Sequence, residues 1–214
     1  MRRILIILLC LLILSSCFDY RGLEDQAIMM GIAVDLEDEV YTLTFEIADI
    51  AGAENGQFGA MILSARGETI AQALQDAKQK LHKEMYLGTL RVVLFSREAV
   101  ESMEFAPFVT HLLHDLQIRN SLPLAVAGEE TAGELLTSHE REEQRVIVSN
   151  VLGEQLGKQS STAPAPTIHE IDQVLHTDGG EITLPLVVTS EEEGIFFAFA
   201  GSAQLREGRL EKER

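Results

Sequence analysis

Apolar and polar positions follow three rhythms along this chain. Ile4 to Leu14 is an unbroken apolar run of 11 residues, closed by Asp19 and Arg21. It is too short to cross a hydrocarbon core about 30 Å thick. Ala27 to Asp35 is a second compact apolar run, with the look of a buried strand. After the acidic turn Asp35 to Glu39, Tyr41 to Asp49 alternates apolar and polar at period two, as a half-buried strand does. The two segments should pair as an antiparallel hairpin joined at Glu37 to Glu39. Tyr41, Leu43, Phe45 and Ile47 should share the core face. Ile50 to Phe58 reads as a loop, and Gly59 to Ala65 as a third strand.

The rhythm then becomes helical. Thr69 is a good N-cap, with Gln72 three residues on as in a capping box. Ile70, Ala73, Leu74, Ala77, Leu81 and Met85 form one stripe, which predicts a helix that Gly88 stops. Lys78, Lys80 and Lys83 load its C-terminal end, favourably for the helix dipole. Leu90 to Phe95 predicts a strand, Phe105 to Leu116 a helix, and Leu122 to Ala127 a strand. After Gly128 the composition turns charged. Short helices are expected at Ala132 to Thr137, Val146 to Leu156 and Ile168 to Leu175. A linker or exposed loop is expected at Gly157 to Pro166. Asp178 to Gly180 is a turn. Ile182 to Thr189 and Ile195 to Ala203 read as strands. The sum is an α+β fold, a mixed or antiparallel sheet with helices packed on it. Two subdomains divided near 128–166 remain an alternative.

The N-terminus changes the picture most. Arg2 and Arg3 precede the apolar run, and Leu14-Ser15-Ser16-Cys17 follows it. This is similar to a bacterial lipoprotein signal peptide spanning 1–16. The similarity implies a diacylglycerol-modified Cys17 as the mature N-terminus. An ordinary secretory signal with an incidental cysteine is the competing account. Cys10 would leave with the signal, so the mature chain holds no free thiol and no disulfide, which excludes cysteine catalysis and dithiol redox chemistry. The formal charge is −17 and becomes −19 once Arg2 and Arg3 are removed. Such a surface repels nucleic-acid phosphates and anionic headgroups, so no nucleic-acid partner is expected and the lipid must hold the protein at the membrane.

Catalytic constellations are scarce. His111-x-x-His114-Asp115 offers two imidazoles and a carboxylate near one helix face, without an identifiable further zinc ligand. Asp35, Glu37, Glu39 and Glu46 mimic an EF-hand loop, but Val40 stands where the turn needs glycine. No GxSxG, Walker loop or GxGxxG after a strand is present. Acid pairs such as Glu142-Glu143 are common in so acidic a chain. No metal and no cofactor is expected, apart from the covalent lipid on Cys17.

The segment Cys17-Phe18-Asp19-Tyr20-Arg21-Gly22-Leu23-Glu24-Asp25-Gln26-Ala27 resembles the region after the lipobox in the Ger(x)C family. These are the C-subunit lipoproteins of nutrient germinant receptors in endospore-forming bacteria. Gly31 to Asp35 with Tyr41 to Ile47, Leu87 to Phe95 (with Thr89 where the family has histidine), Phe108 to Asn120 and Gly201-Ser202-Ala203 resemble later family segments in order and spacing. The resemblance implies a tether at 17–26, an N-terminal germination-lipoprotein region at 27–205, and a polar tail at 206–214. The family's C-terminal region would be absent, as in a fragment or a short paralogue. It also implies a non-enzymatic subunit, lipid-anchored at the outer face of the spore inner membrane beside integral-membrane receptor subunits. Tyr20, Arg21 and Leu23, next to the anchor, are the candidate partner-binding residues. A solute-binding or other structural envelope lipoprotein is the alternative reading, and a cell-envelope hydrolase the weakest.

Overall fold

The computed structural model describes residues 25–54, 57–115, 117–128, 131–138, 147–158, 165–190, 197–207 and 209–212. Three strands come first: β1 (Gln26–Glu37), β2 (Val40–Glu54) and β3 (Gln57–Gly67). β1 and β2 pair antiparallel from Glu37↔Val40 down to Met29↔Ile47, as the hairpin pattern predicts. The two-residue turn puts Asp38 and Glu39 at φ 49° and 62°. Two successive left-handed residues give the turn whose twist matches the strands it joins. Tyr41, Leu43, Phe45 and Ile47 are buried along one face of β2.

Thr69 caps α1 (Ile70–Leu81), its hydroxyl accepting from the Gln72 N–H at 3.1 Å. The return half of the predicted capping box differs: the Gln72 side chain accepts from the Glu68 N–H instead. The helix also ends sooner than its stripe suggests. His82 takes the left-handed conformation at the C-cap, φ 52°. Met85 therefore lies on a short strand, β4 (Glu84–Tyr86), and neither Lys83 nor Gly88 belongs to the helix end. Apolar spacing continued past the true stop because Met85 still faces the same core, now from a strand.

The remaining elements are β5 (Val92–Phe95), α2 (Arg97–Val100), α3 (Phe105–His114), β6 (Leu124–Ala127), α4 (Ala132–Thr137), α5 (Val148–Lys158), α6 (Ile168–Leu175), β7 (Glu181–Thr189), β8 (Phe197–Arg206) and β9 (Arg209–Lys212). β9 corrects the expected polar tail: Leu210 is buried and pairs with Leu205 of β8. An Arg-Leu-Glu-Lys sequence hides an edge strand, because Leu210 is its one apolar residue.

All nine strands form one sheet in the order β3-β2-β1-β5-β6-β7-β8-β9, with β4 beside the start of β1. β1, β5, β6 and β7 run parallel in the middle, and an antiparallel hairpin flanks each side. β6 and β7 are hydrogen-bonded neighbours, so residues on both sides of 128–166 share this sheet. One face carries α1, α2, α3 and α6 over the larger core, around Phe45, Phe95, Phe105 and Leu124. The other carries α4 and α5 over Ala33, Val92, Leu94 and Ala125. The central strands are covered on both faces, so they read as continuous apolar runs rather than alternating ones.

Candidate functional site

Two carboxylates of the β1–β2 hairpin lie in the second, helix-covered layer. Glu46 is buried; one carboxylate oxygen accepts from the Val148 N–H at 2.5 Å, the other from the Ser149 N–H at 2.8 Å and from the Ser149 hydroxyl. Val148 and Ser149 open α5, so an anion meets the positive end of that helix. Asp35 does the same for α4, accepting from Ala132 N–H at 2.7 Å and Gly133 N–H at 2.8 Å. Thr131 takes the next N–H of α4 and completes a capping box with Glu134. Every donor of the first turn of α4 thus has an acceptor, two of them supplied from the sheet.

Burial pushes both carboxyls above their ordinary values. For Glu46 the bonds from Ser149 and Val148 oppose that rise. For Asp35 the Gly133 and Ala132 bonds oppose it, and the charges of Glu134 and Glu98 add to it. Close approach of α5 to the sheet needs Gly31: a Cβ there would lie 2.8 Å from Ser149 Cβ and 3.0 Å from Leu136 Cδ1. The period-two pattern leaves Thr42, Thr44 and Glu46 on the polar face of β2. The structure buries Thr44 and Glu46 under α4 and α5. An acid on a polar strand face signals solvent in most chains, and nothing local to Glu46 distinguishes the exception.

The other sequence candidates are not brought together. Asp35 and Glu46 stand four rungs apart on the hairpin, each on its own helix, and Glu37 and Glu39 lie at the exposed turn. His111 and His114 are exposed; the His114 Nδ1 contacts the Thr110 carbonyl at 2.7 Å, and Asp115 accepts from the Gln117 N–H. Among the described residues no group of three His, Cys, Asp or Glu side chains could hold a metal ion. The Ser149 hydroxyl donates to Glu46, yet both are sealed between α5 and the sheet, with Ser149 0% exposed and Glu46 1% exposed. That pair has no route to a substrate. Glu142-Glu143, Cys17, Tyr20, Arg21 and Leu23 lie outside the described residues. What the structure does place is the point where the N-terminal four join the fold: Gln26, at the start of β1. Among the described residues no helix is long and apolar enough to cross a membrane.

The family described as "Spore germination protein N-terminal domain" matches residues 19–189. Among curated proteins of Bacillus subtilis (strain 168), spore germination protein A3 is 30% identical over 103 residues, 46% of this chain and 27% of that protein. Spore germination protein KC is 24% identical over 136 residues, 59% of this chain and 33% of its own length. Spore germination protein B3 is 24% identical over 182 residues, 82% of this chain and 43% of its own. This chain thus spans less than half the length of each. A crystal structure of the GerBC protein aligns over 85% of this chain and 50% of its own, at 17% identity and a TM-score of 0.39. The match over residues 19–189 covers most of the sequence, and the chain belongs to the spore germination protein N-terminal domain family.

Proposed function

We propose that this protein is the lipid-anchored, non-catalytic subunit of a nutrient germinant receptor. Cys17 carries the lipid and holds the domain on the outer face of the spore inner membrane. Tyr20, Arg21 and Leu23 contact the integral-membrane subunits. The observation that carries the reading is one of placement: the lipobox ends at Cys17, and the family match begins at residue 19. A lipidated cysteine would therefore deliver the germination domain to the bilayer with almost no spacer. Glu46, buried, and Asp35, half-buried, support a scaffold role, because their acceptor oxygens serve helix termini.

The test is fractionation with intact mass. Cys17→Ala should leave the protein unprocessed or release it from membranes. A variant that stays membrane-bound with the normal mature mass would show that Cys17 is not the anchor. Replacing Tyr20, Arg21 and Leu23 together by alanine should leave lipidation intact and lower co-purification with the membrane subunits. Undiminished recovery would reduce 18–26 to a spacer.

A further inference from the structure

The β2–β3 pair is longer than β1 beside it, and the excess lies at one end. β1 pairs with β2 only as far as Met29↔Ile47, and Met61 of β3 lies across β2 from that rung. Past it, β2 runs on to Glu54 and β3 comes back from Gln57 as a two-stranded ribbon. Gln26 to Ile28 of β1 turn instead to β4. The ribbon therefore projects from the same end of the sheet at which β1 begins.

This end is apolar. Among the described residues four large apolar side chains are exposed, Val40, Ile50, Met61 and Met103, and two of them, Ile50 and Met61, sit here. Met61 is 51% exposed. Past the Ile47↔Met61 rung the ribbon holds two formal charges, Asp49 and Glu54, both on β2, while β3 holds none from Gln57 to Ala65. Ala60 and Ile62 follow the alternation that aims backbone groups away from β2, so their edge is open. On the opposite edge of the sheet, Arg97 and Glu101 cover the matching groups of Leu210.

We infer that the projecting end of the β2–β3 ribbon, with Ile50, Ala60, Met61 and Ile62, rests on the bilayer that carries the lipid anchor, at its headgroup boundary. The inference depends on Cys17 being that anchor. Nine residue steps separate Cys17 from Gln26, so an extended tether spans at most about 30 Å and keeps this end of the sheet near the surface. Charge favours the β3 edge over the rest of the surface. An anionic bilayer repels the acidic remainder, while β3 carries no formal charge from Gln57 to Ala65, and only Asp49 and Glu54 of β2 oppose its approach. The open edge fits the boundary and not the hydrocarbon, because unpaired backbone groups keep water there. Apolar side chains buried at the headgroup boundary are how interfacial segments bind.

Single cysteines test the orientation, since the mature chain has no thiol besides Cys17, whose sulfur the lipid occupies. Full-length lipidated Met61→Cys and Val40→Cys proteins are labelled with an environment-sensitive fluorophore. They are then reconstituted in phosphatidylcholine vesicles containing phosphatidylglycerol and headgroup-spin-labelled lipid. Val40 pairs with Glu37 at the far end of the hairpin, seven residues from Ile47, roughly 23 Å along the strand. That distance exceeds the roughly 6 Å depth of one headgroup layer, so the probe at 61 should be quenched at least about threefold more than the probe at 40. Equal quenching, with both proteins floating with the vesicles, would overturn the orientation and leave the anchor reading intact. Failure of both to float would overturn the anchor reading and this inference with it. Disulfide-linked dimers of unlabelled Met61→Cys on vesicles would assign the ribbon to a second copy of the chain instead.

Discussion

Removing the Glu46 carboxylate should be among the costliest single changes to this domain. Glu46→Ala deprives three buried donors, the Val148 and Ser149 N–H groups and the Ser149 hydroxyl, of their acceptor. At the low end of the penalty for an unsatisfied buried donor, about 1 kcal/mol each, the loss is about 3 kcal/mol. Against a typical domain stability of about 5–15 kcal/mol that is a large share. For a domain of this length it corresponds to a Tm lowered by about 6–12 °C. Urea unfolding at neutral pH should show the midpoint fall with the slope unchanged. A cost under about 1 kcal/mol would mean that water reaches the first turn of α5, and the assignment of Glu46 as its cap would be wrong. The pH arm has a definite sign. Burial raises the Glu46 pKa above its ordinary 4.5, so over that interval the folded chain binds more protons than the unfolded one. Stability is full below the ordinary value and falls as pH rises through the raised one. Asp35 contributes in the same direction. Repulsion among the net negative charges acts likewise. The wild-type minus Glu46→Gln difference largely cancels that background, and it should shrink the pH slope above 4.5. An unchanged slope in Glu46→Gln would show that the buried carboxyl titrates normally.

Two further substitutions follow from packing. Gly31→Ala places a methyl against Ser149 Cβ and Leu136 and should cost about 1–3 kcal/mol by lifting α5 from the sheet, measurable by urea unfolding; neutrality would show that α5 shifts freely. Phe95→Ala removes a fully buried ring that meets Phe105 and Phe108 edge-on, with centroids 5.0 Å and 6.1 Å apart, and should cost about 3–5 kcal/mol. A loss under about 1 kcal/mol there would place the centre of the larger core elsewhere.

Period and capping carried most of the fold into the sequence. The first hairpin, its core face, α4 and α6 are where the apolar and polar pattern puts them, because that signal is local; the threonine caps of α4 and α6, Thr131 and Thr167, went unread. What stayed hidden is non-local. The second helical layer over β1 and β2 turns Thr44 and Glu46 from a polar face into a buried one, and a single strand cannot announce what will cover it. β9 was lost for the complementary reason. One leucine among charged residues is too little apolar signal, and pairing with β8 supplies the rest. The site expected from the N-terminal signal, Cys17 with Tyr20, Arg21 and Leu23, precedes the described fold, so its reading rests on sequence and on the position of Gln26.

The edges of the sheet extend the same argument. A nine-stranded sheet with two free edges invites pairing with other chains. Here a helical acid–base pair spaced i, i+4 blocks part of each edge. On β3, Asp76 accepts from the Arg66 N–H while Lys80 donates to the Ser64 carbonyl. On β9, Glu101 accepts from the Leu210 N–H while Arg97 donates to the Leu210 carbonyl. In both cases one side chain satisfies a donor and its partner a turn away satisfies an acceptor, so an incoming strand finds neither group available. Lys80 also holds the Asp76 carboxyl below its ordinary value, which keeps that acceptor ionised. Neither pair reaches the part of β3 nearest the tether, at Ala60 and Ile62. Where the chain protects its edges against other strands, it uses charge. Where it leaves an edge unprotected, it also removes charge, and a nearby bilayer gives both choices one physical cause.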